Sequence, residues 1–201
     1  YKAFYLAIGC QGGRTAGVPG EDAAGIQTAV ALLRTVGGDE SHKMTGKTVA
    51  IGGGNVAIDA ARVALRCGSS DVTLVCLEPR EKMPASAEEI AEAEEEGTAI
   101  RCGYGPKEFL TKDGHVCGVV LKRCTGLYDA EGRFAPTYDE SVTITLPCDN
   151  VVLSMGQCIQ WGNLLDGEAV QLGRGQGAVA DAMTYQTAQS DIFVGGDVYT
   201  G

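Results

Sequence analysis

The sequence is short of the features that mark several large protein classes. No apolar run approaches the roughly 18 residues of a membrane-spanning helix, and no secretory leader is visible. Positive charge is scarce: 16 Lys and Arg face 26 Asp and Glu, for a formal net charge of -10. That balance argues against nucleic acid and anionic membranes as partners, since both need a basic footprint. The two histidines, His42 and His115, fall in a polar loop and beside a turn, where surface positions are expected rather than metal ligation. Among eight cysteines there is no C-x-x-C pair, and no two are closer than seven positions, which argues against a disulfide or metal framework. Several lie in apolar runs and read as reduced core thiols of a cytoplasmic protein; an unpaired reactive thiol is the alternative.

What is present is 201 residues of ordinary globular composition, 44% hydrophobic and 21% charged. The informative stretch is Thr48–Arg62. The β-branched run Val49-Ala50-Ile51 turns through Gly52, Gly53 and Gly54 into a segment with apolar residues at helical spacing, Val56, Ala60, Val63 and Ala64. The pattern is G-x-G-x-x-A: Gly52 for a tight turn, Gly54 for close backbone approach to a pyrophosphate, and Ala57 for close packing of helix on strand. Backbone N–H groups at the start of a helix near Asn55 favour an anion without any charged side chain. A second apolar strand, Val72–Leu77, follows and ends at Glu78, 24 positions beyond Gly54, near the spacing expected for a carboxylate that accepts ribose hydroxyls. Strand, glycine turn, helix, strand and acid in that order predict dinucleotide binding.

Along the rest of the chain, Phe4–Ile8 reads as a short strand and Ala23–Val36 as a helix stopped by Gly37-Gly38. Ser86, three residues before Glu89, marks a capping box at the start of a helix that ends at Gly97. Its glutamates read as a solvated face, with Ile90, Ala91 and Ala93 turned inward. Thr98–Cys102 is a third strand. The pattern then changes to strands alone: Lys107–Leu110, a turn at Asp113-Gly114, Val116–Arg123 and Val142–Leu146 predict an antiparallel meander, with a polar loop over Tyr128–Tyr138. Asn150–Met155 returns as a buried strand, and Ile192–Val194 runs into Gly195-Gly196-Asp197. The fold class expected is α/β: a Rossmann-like three-layer nucleotide-binding domain with a parallel sheet and an antiparallel β-meander crossover. The chain opens inside a strand-like run and ends just past Asp197, so both ends read as cut.

These residues together resemble the glutamate synthase small-subunit-like members of the FAD-dependent pyridine nucleotide oxidoreductases, over nearly the whole chain. Ile51–Asp59 is similar to the family's nicotinamide fingerprint, Met83-Pro84-Ala85 with the acidic helix to a stretch of that branch, and Leu146–Asp149 running to Ser154–Gln157 to its return into the flavin domain. Leu6–Gly9 resembles the matching exit, and Phe193–Asp197 a motif whose aspartate contacts the flavin ribityl-phosphate region. The resemblance implies residues 1–22 as a stub of the FAD-binding domain, 23–155 as the NAD(P)-binding domain and 156–201 as an incomplete return. It implies hydride transfer from NAD(P)H to FAD, no acid, base or nucleophile supplied by this chain, and no metal. It implies cofactor contacts from Gly52, Gly53, Gly54, Asn55, Val56, Ala57, Glu78, Arg80, Gly156, Gln157, Gly196 and Asp197. No second glycine fingerprint is present, so FAD is expected in the intact protein and not on this fragment. Relatives using NADPH carry arginines after the second strand; here Leu77 and Glu78 stand there and only Arg80 remains, so NADH is favoured over NADPH. The partners implied are the remainder of its own flavoprotein and an electron-accepting subunit or domain, an iron–sulfur protein among the candidates. The alternative is a non-catalytic NAD(H)-binding or scaffolding module.

Overall fold

The computed structural model describes residues 1–39 and 41–200. In chain order the strands are β1 (Phe4–Leu6), β2 (Gly12–Gly13), β3 (Ile26–Thr28), β4 (Lys47–Ile51), β5 (Asp71–Cys76), β6 (Ala99–Cys102), β7 (Tyr104–Lys112), β8 (His115–Tyr128), β9 (Phe134–Pro147), β10 (Asn150–Leu153), β11 (Gln157–Cys158) and β12 (Ile192–Val194). The helices are α1 (Ala29–Gly38), α2 (Asn55–Arg66), α3 (Ala87–Glu95) and α4 (Asp197–Thr200). They divide into a larger unit, Gly13–Gly156, and a smaller one made of Tyr1–Gly12 and the chain from Gln157 onward.

The larger unit is organised by a five-stranded parallel sheet in the order β3-β10-β4-β5-β6. Alternate residues of a strand point to opposite faces, so strands covered on both sides read as continuous apolar runs. Ala50, Val72, Leu74, Cys76 and Val152 pack with α1, α2 and α3, while Val49, Ile51, Val75, Val151 and Leu153 pack with Phe109, Val119 and Leu121 of the antiparallel sheet β7-β8-β9. The result is helices, parallel sheet and meander in three layers. Helix α2 presents Ala57, Ala60, Ala61 and Ala64 to the sheet, all fully buried, and such small side chains let it lie close. After the β4-α2-β5 and β5-α3-β6 units the chain runs through the meander and inserts β10 between β3 and β4.

Four sequence expectations need correcting. The single helix over 23–36 is an edge strand followed by a helix: Ile26, Gln27 and Thr28 pair with Val151, Val152 and Leu153, and Thr28, extended in backbone, caps α1 by accepting from Ala31 N at 3.3 Å. Helical spacing of a few apolar residues does not see a sheet partner more than a hundred positions away. The polar loop over Tyr128–Tyr138 is mostly strand, with Cys124 opposite Tyr138, Gly126 opposite Thr137 and Tyr128 opposite Phe134; register shifts there erase the two-residue alternation that would have betrayed it. Ala91, expected to turn inward, is exposed while Ile90 and Ala93 are buried; most of the glutamates do form an exposed face, on which Glu92 and the C-cap residue Glu96 pair with Arg62 at 2.7 and 2.6 Å and Glu96 also meets Arg66. The capping box is half made: Ser86 Oγ accepts from Glu89 N at 3.2 Å, but the Ser86 N–H goes to Asn55 Oδ1 at 3.0 Å.

In the smaller unit β1 and β12 pair in parallel, Phe4 opposite Ile192 and Leu6 opposite Val194. Val194 and Val198 are fully buried with Ile159 and Ala178 beside them.

Candidate functional site

The glycine turn sits where the central strand β4 ends, and each glycine has a different reason to be there. Gly52 has φ +149°, and a Cβ on it would lie 2.2 Å from the Ser154 carbonyl oxygen beyond β10. A Cβ on Gly53 would meet Glu78 Oε2 at 2.7 Å, Cys76 Cβ at 3.1 Å and Pro84 Cδ at 3.2 Å. A Cβ on Gly54 would meet nothing within 4 Å, so this residue borders open space. Helix α2 starts at the next residue with no side chain capping it and no acid in its first turn, whereas Thr28 caps α1 and Ser86 caps α3. Its first N–H groups face an approachable space at the positive end of a twelve-residue helix, an arrangement that suits a pyrophosphate.

Other expected site residues converge on this turn. Ala57 is fully buried against the sheet and Val56 half-buried beside it. Asn55 spends its side-chain carbonyl on the start of α3. Glu78 follows β5, and the contact with Gly53 places its carboxylate against the turn rather than out in solvent. The stretch Met83-Pro84-Ala85 docks on the same loop, with Ala85 N donating to Gly53 O at 3.0 Å. The structure therefore brings Gly52, Gly53, Gly54, Asn55, Val56, Ala57 and Glu78 together.

Arg80 lies nearby but faces elsewhere. It is ion-paired with Glu94 of α3 and borders a cleft of about 620 Å³ whose lining includes Leu77, Lys82, Cys102, Arg123 and Tyr128. Leu77 and Glu78 thus take opposite sides of the chain after β5. The Arg123 guanidinium lies 5.3 Å from the centre of the Tyr104 ring, and sequence reasoning missed it because a lone arginine in a strand carries no signal. Gly156, with φ +95°, closes the larger unit and accepts from Arg14 N at 3.0 Å. Gln157, Gly196 and Asp197 belong to the smaller unit, where Asp197 opens α4 and a Cβ on Gly9 would lie 3.5 Å from its Oδ2. Among the described residues no group of three or more His, Cys, Asp or Glu is arranged to hold a metal, and no helix is long and apolar enough to cross a membrane.

Known proteins match this arrangement. The family model described as pyridine nucleotide-disulphide oxidoreductase matches residues 1–201. The NADP(+)-dependent formate dehydrogenase subunit beta of Moorella thermoacetica is 35% identical across all of this chain, which spans 29% of that subunit. The glutamate synthase [NADPH] small chain of Escherichia coli K12 is 29% identical, again over all of this chain, which spans 46% of it. The chain thus covers less than half the length of either relative. Among solved structures, Mycobacterium tuberculosis FprA in complex with NADPH superposes with a TM-score of 0.75 at 20% identity, over all of this chain and 59% of that one. T. acidophilum thioredoxin reductase gives 0.71 at 20% identity, over all of this chain and 58% of its own. Those two likenesses establish the shared Rossmann-like fold, and with one family model spanning every residue, glycine turn and acid included, the chain belongs to the pyridine nucleotide-disulphide oxidoreductase family.

Proposed function

We propose that this chain is the nicotinamide-dinucleotide-binding part of a flavoprotein oxidoreductase of the glutamate synthase small-chain type, in which NAD(P)H reduces FAD and electrons pass on to a partner subunit or domain. The observation that carries this reading is the glycine turn: an uncapped α2, open space over Gly54, and a carboxylate, Glu78, set against Gly53. Gly52–Ala57 hold the pyrophosphate by backbone N–H groups, and Glu78 accepts the hydroxyls of the adenosine ribose. Residues 23–155 form the nicotinamide domain, the larger unit also taking in 13–22 and Gly156, and 1–22 and 156–201 are the segments that lead from and return to the flavin domain, with Gly196 and Asp197 toward FAD and Gly156 and Gln157 near the two rings. Hydride chemistry is the cofactors' own, and the chain's contribution is binding and orientation, which is why it supplies no acid or base. A cytoplasmic location belongs to the same reading.

NADH is the preferred form, because a carboxylate at the ribose accepts its hydroxyls and repels a 2′-phosphate, and because Arg80 is engaged with Glu94. A second reading, NADPH, is favoured by the cleft with Arg80, Lys82 and Arg123 in its lining and by the NADP(+) and NADPH named for the relatives. The deciding experiment titrates the chain with NADH and NADPH, following nicotinamide fluorescence, in wild type and Glu78→Arg. Removing a charge-assisted contact of about 1.5–3 kcal/mol weakens NADH about tenfold or more. NADPH is expected to gain in the same variant. Equal affinities unchanged by the substitution would remove Glu78 from the ribose, and binding of neither dinucleotide by folded protein would remove the proposal.

A further inference from the structure

Cys76 and Cys102 are 26 positions apart in the sequence, yet they are direct register partners at the ends of the adjacent parallel strands β5 and β6. Neighbouring strands run roughly 4.8 Å apart, inside the about 4.4–6.8 Å between Cα atoms that a disulfide spans. Their side chains share the helix-facing side of the sheet, and the Cys102 thiol is close enough to add to the rise that burial gives the Cys76 pKa. A third sulfur completes the cluster, Cys102 Sγ lying 3.9 Å from Met83 Sδ.

The two thiols differ in access. Cys102 is half-buried and borders the 620 Å³ cleft, whereas Cys76 is 1% exposed. Cys76 is also tied to the dinucleotide loop. Its thiol donates to the Glu78 carbonyl oxygen at 3.5 Å, and its Cβ is one of the atoms that a side chain on Gly53 would strike.

We propose that Cys76 and Cys102 form a reversible oxidation site that couples peroxide to dinucleotide binding; the coupling rests on the reading of Gly52–Ala57 and Glu78 given above. Cys102, having lost its proton to water in the cleft, attacks hydrogen peroxide. The O–O bond breaks, hydroxide leaves and is protonated to water, and Cys102 becomes a sulfenic acid. The sulfur of Cys76 then attacks that of Cys102. The S–O bond breaks, and the departing hydroxide takes the Cys76 proton as a second water. Two thiols lose two electrons and one peroxide becomes two waters. The disulfide needs no approach of the strands; it turns the Cys76 sulfur to Cys102, which abolishes the hydrogen bond from Cys76 to Glu78 O and disturbs the wall behind Gly53 against which Glu78 lies. A thiol reductant reverses it.

The test treats the full chain with hydrogen peroxide, maps disulfides by peptide mass spectrometry, and titrates reduced and oxidised samples with NADH and NADPH. A Cys76–Cys102 disulfide is expected in wild type, absent in Cys102→Ser and reversed by dithiothreitol. The oxidised form is expected to bind about tenfold more weakly, the loss of one charge-assisted contact. Cys102→Ser keeps its affinity after peroxide, which separates the disulfide from general oxidative damage. Thiols that stay free, or pair only elsewhere such as Cys117 with Cys148, overturn the proposal. A Cys76–Cys102 disulfide with unchanged affinity overturns the coupling. A reduced chain that binds neither dinucleotide overturns the functional reading and the coupling with it, and the mass spectrum alone then decides the thiol pair.

Discussion

Substituting alanine at two glycines of one turn should damage two different properties. At Gly52 the added Cβ meets the Ser154 carbonyl oxygen at 2.2 Å, about 1 Å inside normal contact, on a backbone with φ +149°. The opposing atom is main chain at the end of a core strand, so it cannot swing aside. Strain of about 1–3 kcal/mol from the dihedral and a similar amount from overpacking put Gly52→Ala at roughly 2–6 kcal/mol of lost stability. At Gly54 the backbone is extended, φ -93° and ψ 175°, and the Cβ enters open space. The folding cost there is about 0.5–1 kcal/mol, the ordinary penalty of alanine at a helix N-cap. That Cβ, however, occupies the approach to the first amides of α2, so dinucleotide affinity should fall at least about tenfold, an order of magnitude being about 1.4 kcal/mol. Urea unfolding and a nicotinamide fluorescence titration on both variants make the comparison. A Gly52→Ala protein within about 0.5 kcal/mol of wild type refutes the steric argument, since that is the scatter of neutral substitutions. A Gly54→Ala protein that binds as wild type refutes the pyrophosphate assignment.

Two further outcomes test the frame that holds the turn. The hydrogen bond from Arg62, with Arg66 adding to it, holds the Glu96 carboxyl at about 2, below its usual 4.5. A depressed pKa gives stability that is present above 4.5 and lost as pH falls toward 2. Glu96→Gln should therefore lower the urea midpoint at pH 7, with the gap to wild type closing between pH 4.5 and 2; a gap that persists at pH 2 rules out the ion pair as its source. Within the core, Thr48 Oγ1 and Ser69 Oγ share a 2.8 Å hydrogen bond between two buried residues. Thr48→Val strands the Ser69 hydroxyl and should cost about 1–3 kcal/mol, most of it recovered in Thr48→Val with Ser69→Ala. A double variant no better than the single one contradicts this, again by urea unfolding.

The sequence by itself determined the centre of the molecule. Strand-like runs rich in β-branched residues at Val49–Ile51 and Val72–Val75, the glycines between them and the acid after them describe β4, the turn, α2, β5 and Glu78, because each signal is local: a period, a φ requirement, a spacing. The meander was legible where alternation is regular and illegible beyond Arg123, where register shifts break the alternation. β3 was misread as helix because its strand character comes from β10, 125 positions away between Ile26 and Val151. Only the tertiary structure decided the pairings that depend on such distances. It set Glu78 against Gly53, turned Arg80 to Glu94, brought Arg123 and Lys82 to the lining of one cleft, and put Cys76 next to Cys102. A spacing can announce that a carboxylate follows a strand, but that its side chain turns to Gly53, where Cys76 and Pro84 also converge, is a matter of packing, and that packing exists only once the chain has folded.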